Sequence, residues 1–267
     1  MRHRVFVLFA VAAISAIVWP TVPAQTQANV ASSSPVPETE LDALLAARNW
    51  NTLGAALSQP GIDELIRRMR WMKAHVDSDG GFFLATLYAR DLWALGGFLK
   101  ADNPEKDVRY TAALISLYAY ELIVIDGAKC EDWSAPSNRL TQLMTQRSAT
   151  LAFLKQLPSE TKSGVVDVAI ALERKTAPLR KDDDLMCRGG LAEIQAGLEK
   201  GTQQETPNTK GYVGKTIAVT PPSNWSPKFV TPDVYRPKQD KARAGMREDL
   251  LKFVGFSDSA TGPKPQP

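Results

Sequence analysis

Thr111–Ile125 reads TAALISLYAYELIVI, fifteen residues that carry one charge, Glu121. A helix made from so continuous an apolar run has no solvent face, and such a helix is buried all round. The run falls short of the roughly 20 residues a spanning helix needs, and it carries Tyr118, Tyr120 and Glu121. It is therefore expected at the centre of a protein core. Glu121 is the anomaly within it. A carboxylate among Tyr118, Leu122 and Ile123 is costly to bury without a partner. Left alone, its pKa rises and it becomes a candidate general acid. The structural alternatives are an ion pair with Arg90, a bond to a Tyr hydroxyl, or escape to the surface at a helix flank.

Past Ile125 the chain turns through Asp126-Gly127 and reaches Cys130. Cys130 and Cys187 are the only cysteines. In an exported chain a lone pair reads as a disulfide. The bridge closes a loop of about 58 residues, worth roughly 4 kcal/mol in the chain-entropy model. Around Cys130 lies the densest polar cluster of the sequence: Asp126, Lys129, Glu131, Asp132 and Trp133, with Arg139 a little further on and Arg188 brought in by the bridge. This cluster is a candidate binding pocket held rigid by the disulfide. The plainer reading is a solvated loop in which Asp132 or Ser134 caps the next helix.

Helical periodicity extends in both directions from the central run. On the N-terminal side the spacing predicts helices over 38–48, 51–58, 62–76, 82–99 and 104–126. The third carries Ile62, Leu65, Ile66, Met69, Met72 and Val76 on one stripe and Arg67, Arg68, Arg70 and Lys73 mostly off it. That cationic face is read as solvated rather than as an anion or membrane site. Asp77-Ser78-Asp79-Gly80-Gly81 begins like a calcium loop but lacks the later ligands, so it is read as a turn. On the C-terminal side helices are expected over 136–156, 160–175 and 189–200.

From Gly201 the composition changes. Pro207, Pro221, Pro222, Pro227, Pro232 and Pro237 recur, with Tyr212, Trp225, Phe229 and Tyr235 between them. Proline breaks helices, so 201–237 is expected as an extended arm lying on the body and burying its aromatics, with Thr216–Val219 as a possible short strand. A short amphipathic helix is expected over 238–254 (238–256 with its flank), and a disordered tail over 257–267.

The N-terminus has the pattern of an export signal over residues 1–28. Arg2, His3 and Arg4 precede an apolar run from Val5 to Trp19, and Val22-Pro23-Ala24 or Thr26-Gln27-Ala28 offers small residues for cleavage near Ala24 or Ala28. Residues 29–37 form a Ser- and Pro-rich lead-in to a helical domain over 38–200. The 32 cationic and 29 acidic residues give +3. Removing Arg2 and Arg4 with the signal leaves +1, too balanced for a nucleic-acid binder.

Catalytic motifs are missing: the chain has no GxSxG, Walker loop, GxGxxG or HExxH, and His75 is the single histidine left after signal removal. No metal and no cofactor are expected. The fold class is all-α: a bundle or solenoid-like stack of seven to eight antiparallel helices, then the Pro-rich arm. The function expected is a non-enzymatic binding or scaffold protein of the bacterial periplasm. Its partner would be another envelope protein or a small ligand, with no nucleic acid and no membrane span. The alternatives are a carboxylate-based hydrolase or lyase acting through Glu121, or docking of a partner on the C-terminal arm.

Overall fold

The computed structural model describes residues 35–99, 106–207 and 216–256. The expected signal, most of the lead-in, the first residues of the helix expected over 104–126, Tyr212 and the C-terminal tail lie outside the described residues. The described residues from Pro37 onward belong to one compact unit. It is mostly helical, with ten helices and one two-stranded sheet among the described residues. The helices are α1 (Glu38–Ala46), α2 (Trp50–Ala56), α3 (Ile62–Val76), α4 (Gly81–Phe98), α5 (Val108–Asp126), α6 (Ser134–Gln146), α7 (Ser148–Gln156), α8 (Ser159–Thr176), α9 (Leu191–Lys200) and α10 (Pro232–Phe253). Strands β1 (Thr202–Thr206) and β2 (Thr216–Thr220) separate α9 from α10.

The opening stretch lies within α5, and α5 is the hub. It packs against α4, α6, α7, α8 and α10. Asp107 caps it, accepting from the Arg109 amide at 2.9 Å. Its buried residues include Ala112, Ala113, Ile115, Leu117, Tyr118, Ala119, Leu122, Ile123 and Ile125, which occupy every side of the helix. The buried Ser116 hydroxyl donates back to the Ala112 carbonyl at 2.7 Å, so it adds no unsatisfied group. With the 3-10 turn Gly127–Lys129, the segment Val108–Lys129 is long and apolar enough to cross a bilayer, yet most of it is buried inside the protein. Length alone thus does not argue against a span, as the fifteen-residue run suggested. Neighbouring helices cover most of its surface. Close contact with α4 depends on Gly96, because a Cβ there would overlap the Arg109 side chain.

One apolar cluster joins Ala113, Leu117 and Ile125 of α5 to Leu154 of α7, to Val165, Val166, Ala169 and Ile170 of α8, and to Met246, Leu250 and Val254 in and just after α10. The β-branched residues of α8 therefore sit in a helix because its buried face demands them there, overriding a modest propensity cost.

Three expectations need correction. The single helix over 136–156 is two helices, broken at Arg147, which leaves helical geometry at φ −108°. The Arg147 guanidinium donates to the Thr86 carbonyl in α4 at 3.0 Å, a tertiary tie that no local pattern shows. The last helix begins at Pro232, not residue 238, and runs through Pro237. Pro232 suits a first helical position, while Pro237 forgoes one backbone bond near the helix start and ends nothing. The arm, expected to hold a single short strand at Thr216–Val219, contains a hairpin, β1 pairing antiparallel with β2 from Thr202↔Thr220 to Thr206↔Thr216. The strand foreseen at Thr216–Val219 is β2, and its partner was not foreseen.

Candidate functional site

The loop after α5 is assembled from three directions. Cys130 and Cys187 form a disulfide with Cα atoms 5.2 Å apart, fastening the loop to the turn before α9. Residues 227–230 pass along its other side. The Glu131 amide donates to the Lys228 carbonyl at 3.0 Å and the Val230 amide to the Lys129 carbonyl at 2.9 Å. Asp132 then joins two helix starts. Its Oδ1 accepts from the Ser134 amide at 3.0 Å and from the Ser134 hydroxyl, at the head of α6. Its Oδ2 accepts from the Ala192 amide at 2.8 Å, in the first turn of α9. The Ser134 hydroxyl oxygen accepts in turn from the Leu191 amide at 2.8 Å. Burial opposes ionisation of Asp132, but the bonds from Ser134 and Ala192 outweigh it and hold the carboxyl below its ordinary range. The backbone comes close enough for this at Gly190, where a Cβ would overlap Asp132 and Ser134.

Between this loop, α9 and the arm lies a cleft of about 470 Å³. The loop contributes Glu131, Asp132 and Trp133, α9 contributes Gln195 and Glu199, and the arm contributes Trp225, Pro227 and Lys228. Trp133 is 74% exposed. On the adjoining wall Trp225 is covered by the Arg188 guanidinium, 5.3 Å from the ring centroid. Arg188 is itself bonded to Glu193 at 3.3 Å and lies 3.7 Å from Asp184. A smaller hollow of about 310 Å³ adjoins it, lined by Arg139, Arg188, Ile194 and Val219.

The residues singled out from sequence thus divide. Asp132 and Trp133 face the cleft, and Arg188 supports its Trp225 wall. Arg139 donates to the Leu185 carbonyl at 3.1 Å and to Gln142 at 3.0 Å, beside the smaller hollow. Lys129 pairs with Asp182 at 3.1 Å, and Asp126 with Arg180 at 2.7 Å; neither lines the cleft. Missed were Gln195, Glu199 and Lys228, which come from distant parts of the chain. Trp225 alone left a trace, as an aromatic in a Pro-rich stretch expected to lie on the body.

Glu121 is 1% exposed, and neither carboxylate oxygen has a hydrogen-bond partner among the described residues. The expected partners are engaged elsewhere: Arg90 bonds Asp91 at 2.8 Å, and the Tyr118 hydroxyl meets Thr176 at 2.9 Å. Burial, and then the charge of Glu173, push the Glu121 pKa up to about 9, against the pull of Arg180 and Arg174. Nearby, Arg180 donates to Asp126 and to Glu173 at 2.7 Å, and Arg243 of α10 reaches Glu173 at 3.0 Å. Burial works against an ionised Glu173, but the bonds from Arg243 and Arg180 prevail and lower its pKa. This network ties α5, α8, the following turn and α10, and Glu121 stands just outside it.

His75 lies in another hollow with Asp42, Asp79 and Asp183. Its Nε2 is 3.1 Å from Asp42 Oδ1, which also accepts from the Trp71 indole at 2.9 Å. Among the described residues no group of three or more His, Cys, Asp or Glu is placed to hold a metal ion. Comparison with protein-family models, curated proteins and solved structures finds no match, so the functional reading rests on the site alone.

Proposed function

We propose that this chain is an exported, non-enzymatic binding protein of the bacterial periplasm that holds a cationic, arginine- or lysine-bearing peptide segment in the Trp133 cleft. The exposed face of Trp133 carries this reading. Arg188 on Trp225, flanked by Glu193 and Asp184, shows the chemistry this surface uses for an indole: a cation over the ring with carboxylates beside it. Trp133 has the ring and a neighbouring carboxylate, Glu131, with Glu199 across the cleft. Among the described residues no cation covers its ring. A partner's guanidinium or ammonium completes the arrangement. Export is supported by the basic and apolar N-terminal pattern and by the disulfide, a bond that persists in oxidising compartments.

In this reading the helices form a bundle-like body of antiparallel pairs, and the Pro-rich arm is laid on it to complete the cleft. The backbone bonds at Lys228 and Val230 support that role for the arm. An acid–base enzyme built on Glu121 has less support, because Glu121 is closed off from solvent and does not line the cleft.

Calorimetric titration with a short arginine peptide and its citrulline counterpart tests the proposal. The arginine peptide is expected to bind and the citrulline peptide to bind far more weakly. Trp133→Ala should weaken arginine binding roughly tenfold, in line with loss of a cation–π contact and its packing. Equal binding of the two peptides, or an unchanged Trp133→Ala, would refute it.

A further inference from the structure

Two arginines line the hollow of about 310 Å³ beside α9, and they differ in their partners. Arg188 pairs with Glu193 at 3.3 Å. Arg139 pairs with no carboxylate among the described residues. Its Nε donates to the Leu185 carbonyl and its Nη1 to the Gln142 side-chain oxygen, both neutral acceptors. Its Nη2 has no hydrogen-bond partner among the described residues. A guanidinium drawn out of water is normally matched by an anion. Here burial opposes the charge and Arg188 adds to it, while Asp183 and Glu193 offset them only in part, so the Arg139 pKa lies below its ordinary value. The one acid lining the hollow, Glu193, is committed: Oε1 accepts from Arg188 and Oε2 from the Gly189 amide at 2.6 Å. Gly189 sits at φ +80°, a conformation glycine adopts without strain. A Cβ there would come within 3.7 Å of the Arg139 Nη2, so the absence of a side chain leaves that nitrogen uncovered. Ile194, Val219 and Pro221 form the apolar remainder of the lining.

We propose that this hollow binds a carboxylate carried on a short aliphatic group, with the Arg139 guanidinium as its charge partner and Ile194, Val219 and Pro221 against the aliphatic part. The Nη2 end of the guanidinium keeps the donors that a carboxylate accepts from. The volume is at the small end for ligand pockets, which suits a group the size of one residue. The C-terminal residue of a peptide and a free branched carboxylic acid share this chemistry. The site does not rest on the Trp133 cleft: the two share no lining residue and call for opposite charges.

Calorimetric titration of the disulfide-intact chain at neutral pH with N-acetyl-valyl-leucine and with its C-terminal amide tests this. Neither probe carries a cation, so the Trp133 cleft does not contribute. The acid should bind, and the amide should bind weaker by roughly tenfold or more, as loss of a charged hydrogen-bond partner implies. Isovalerate separates the two sources: binding at least as tight as the peptide acid assigns the site to free acids, and weaker binding assigns it to peptide C-termini. Arg139→Gln should abolish the preference for acid over amide. Ile194→Glu keeps the test independent of the Arg139 tie to Leu185. Ile194 is 46% exposed, so the variant should retain the parent's circular dichroism, and its carboxylate supplies Arg139 with an internal partner that excludes the ligand. Equal binding of acid and amide, no binding of either acid, or acid binding that survives either variant overturns the proposal.

Discussion

Glu121 carries the largest tension between residue and surroundings. Its carboxyl is buried without a partner, and its pKa stands near 9 against an ordinary 4.5. Between those values the folded chain keeps a proton that the unfolded chain releases. Stability from this group is thus complete below about pH 4.5, falls as pH rises, and reaches its minimum above about 9. The slope is ~1.4 kcal/mol per pH unit, or on the order of 3 kcal/mol between pH 5 and pH 7. Glu121→Gln mimics the protonated form and removes the slope. Thermal unfolding of parent and variant should agree near pH 4.5, with the variant increasingly more stable toward pH 8. Parallel curves across that range would mean Glu121 is ionised in the fold. The anomaly was readable from sequence, since one acid in an apolar run stands out. Its isolation was not, because whether Arg90 or a tyrosine reaches it depends on side chains from other helices.

At the scale of elements, α10 departs furthest from expectation. Read as a short helix after an arm, it contributes Met246 and Leu250 to the apolar cluster at the centre of the protein. It also supplies Arg243 to Glu173, while its Gln239 amide donates to the Ile125 carbonyl at 3.1 Å. Ending the chain after residue 230 removes all of these and exposes the α5–α8 face. That truncation is expected to lose its cooperative thermal transition and to bind a hydrophobic dye such as ANS. A sharp transition in the shortened chain would show α10 to be an accessory. The stripe of Met246, Leu250, Leu251 and Val254 was legible in sequence; the helix start was not. Pro237 is a breaker by composition, and only its place near the start of a helix already begun at Pro232 makes it tolerable. Arg147 shows the converse: nothing local marks a break there, but its guanidinium reaches the Thr86 carbonyl in α4.

Across the whole molecule, the disulfide holds together parts that the chain separates. It joins residues 57 apart. It anchors the loop whose Asp132 caps both α6 and α9, and whose backbone bonds the arm. Reducing the bond, or replacing both cysteines by serine, should cost about 4 kcal/mol of stability and weaken cleft binding more than circular dichroism changes. An unaltered unfolding midpoint after reduction would show that the caps and the apolar cluster hold the loop unaided. The cleft was half visible beforehand. Asp132 and Trp133 sit beside Cys130 in sequence and announce themselves as a polar, aromatic cluster. Glu199, Trp225 and Lys228 lie far along the chain and reach the cleft only when α9 and the arm have docked.

Hydrophobic pattern and cysteine count by themselves determined that this is a mostly helical protein centred on Thr111–Ile125, with Cys130 bonded to Cys187. Both follow from terms that act locally or without direction: apolar area must leave water, and a lone cysteine pair has one possible mate within the chain. Tertiary structure alone decided which charges are neutralised, where α6 and α10 begin and end, and which distant side chains form the cleft. Ion pairs, caps and pockets depend on ångström-scale geometry between segments remote in sequence, and that geometry exists only once the core has set the helices against one another.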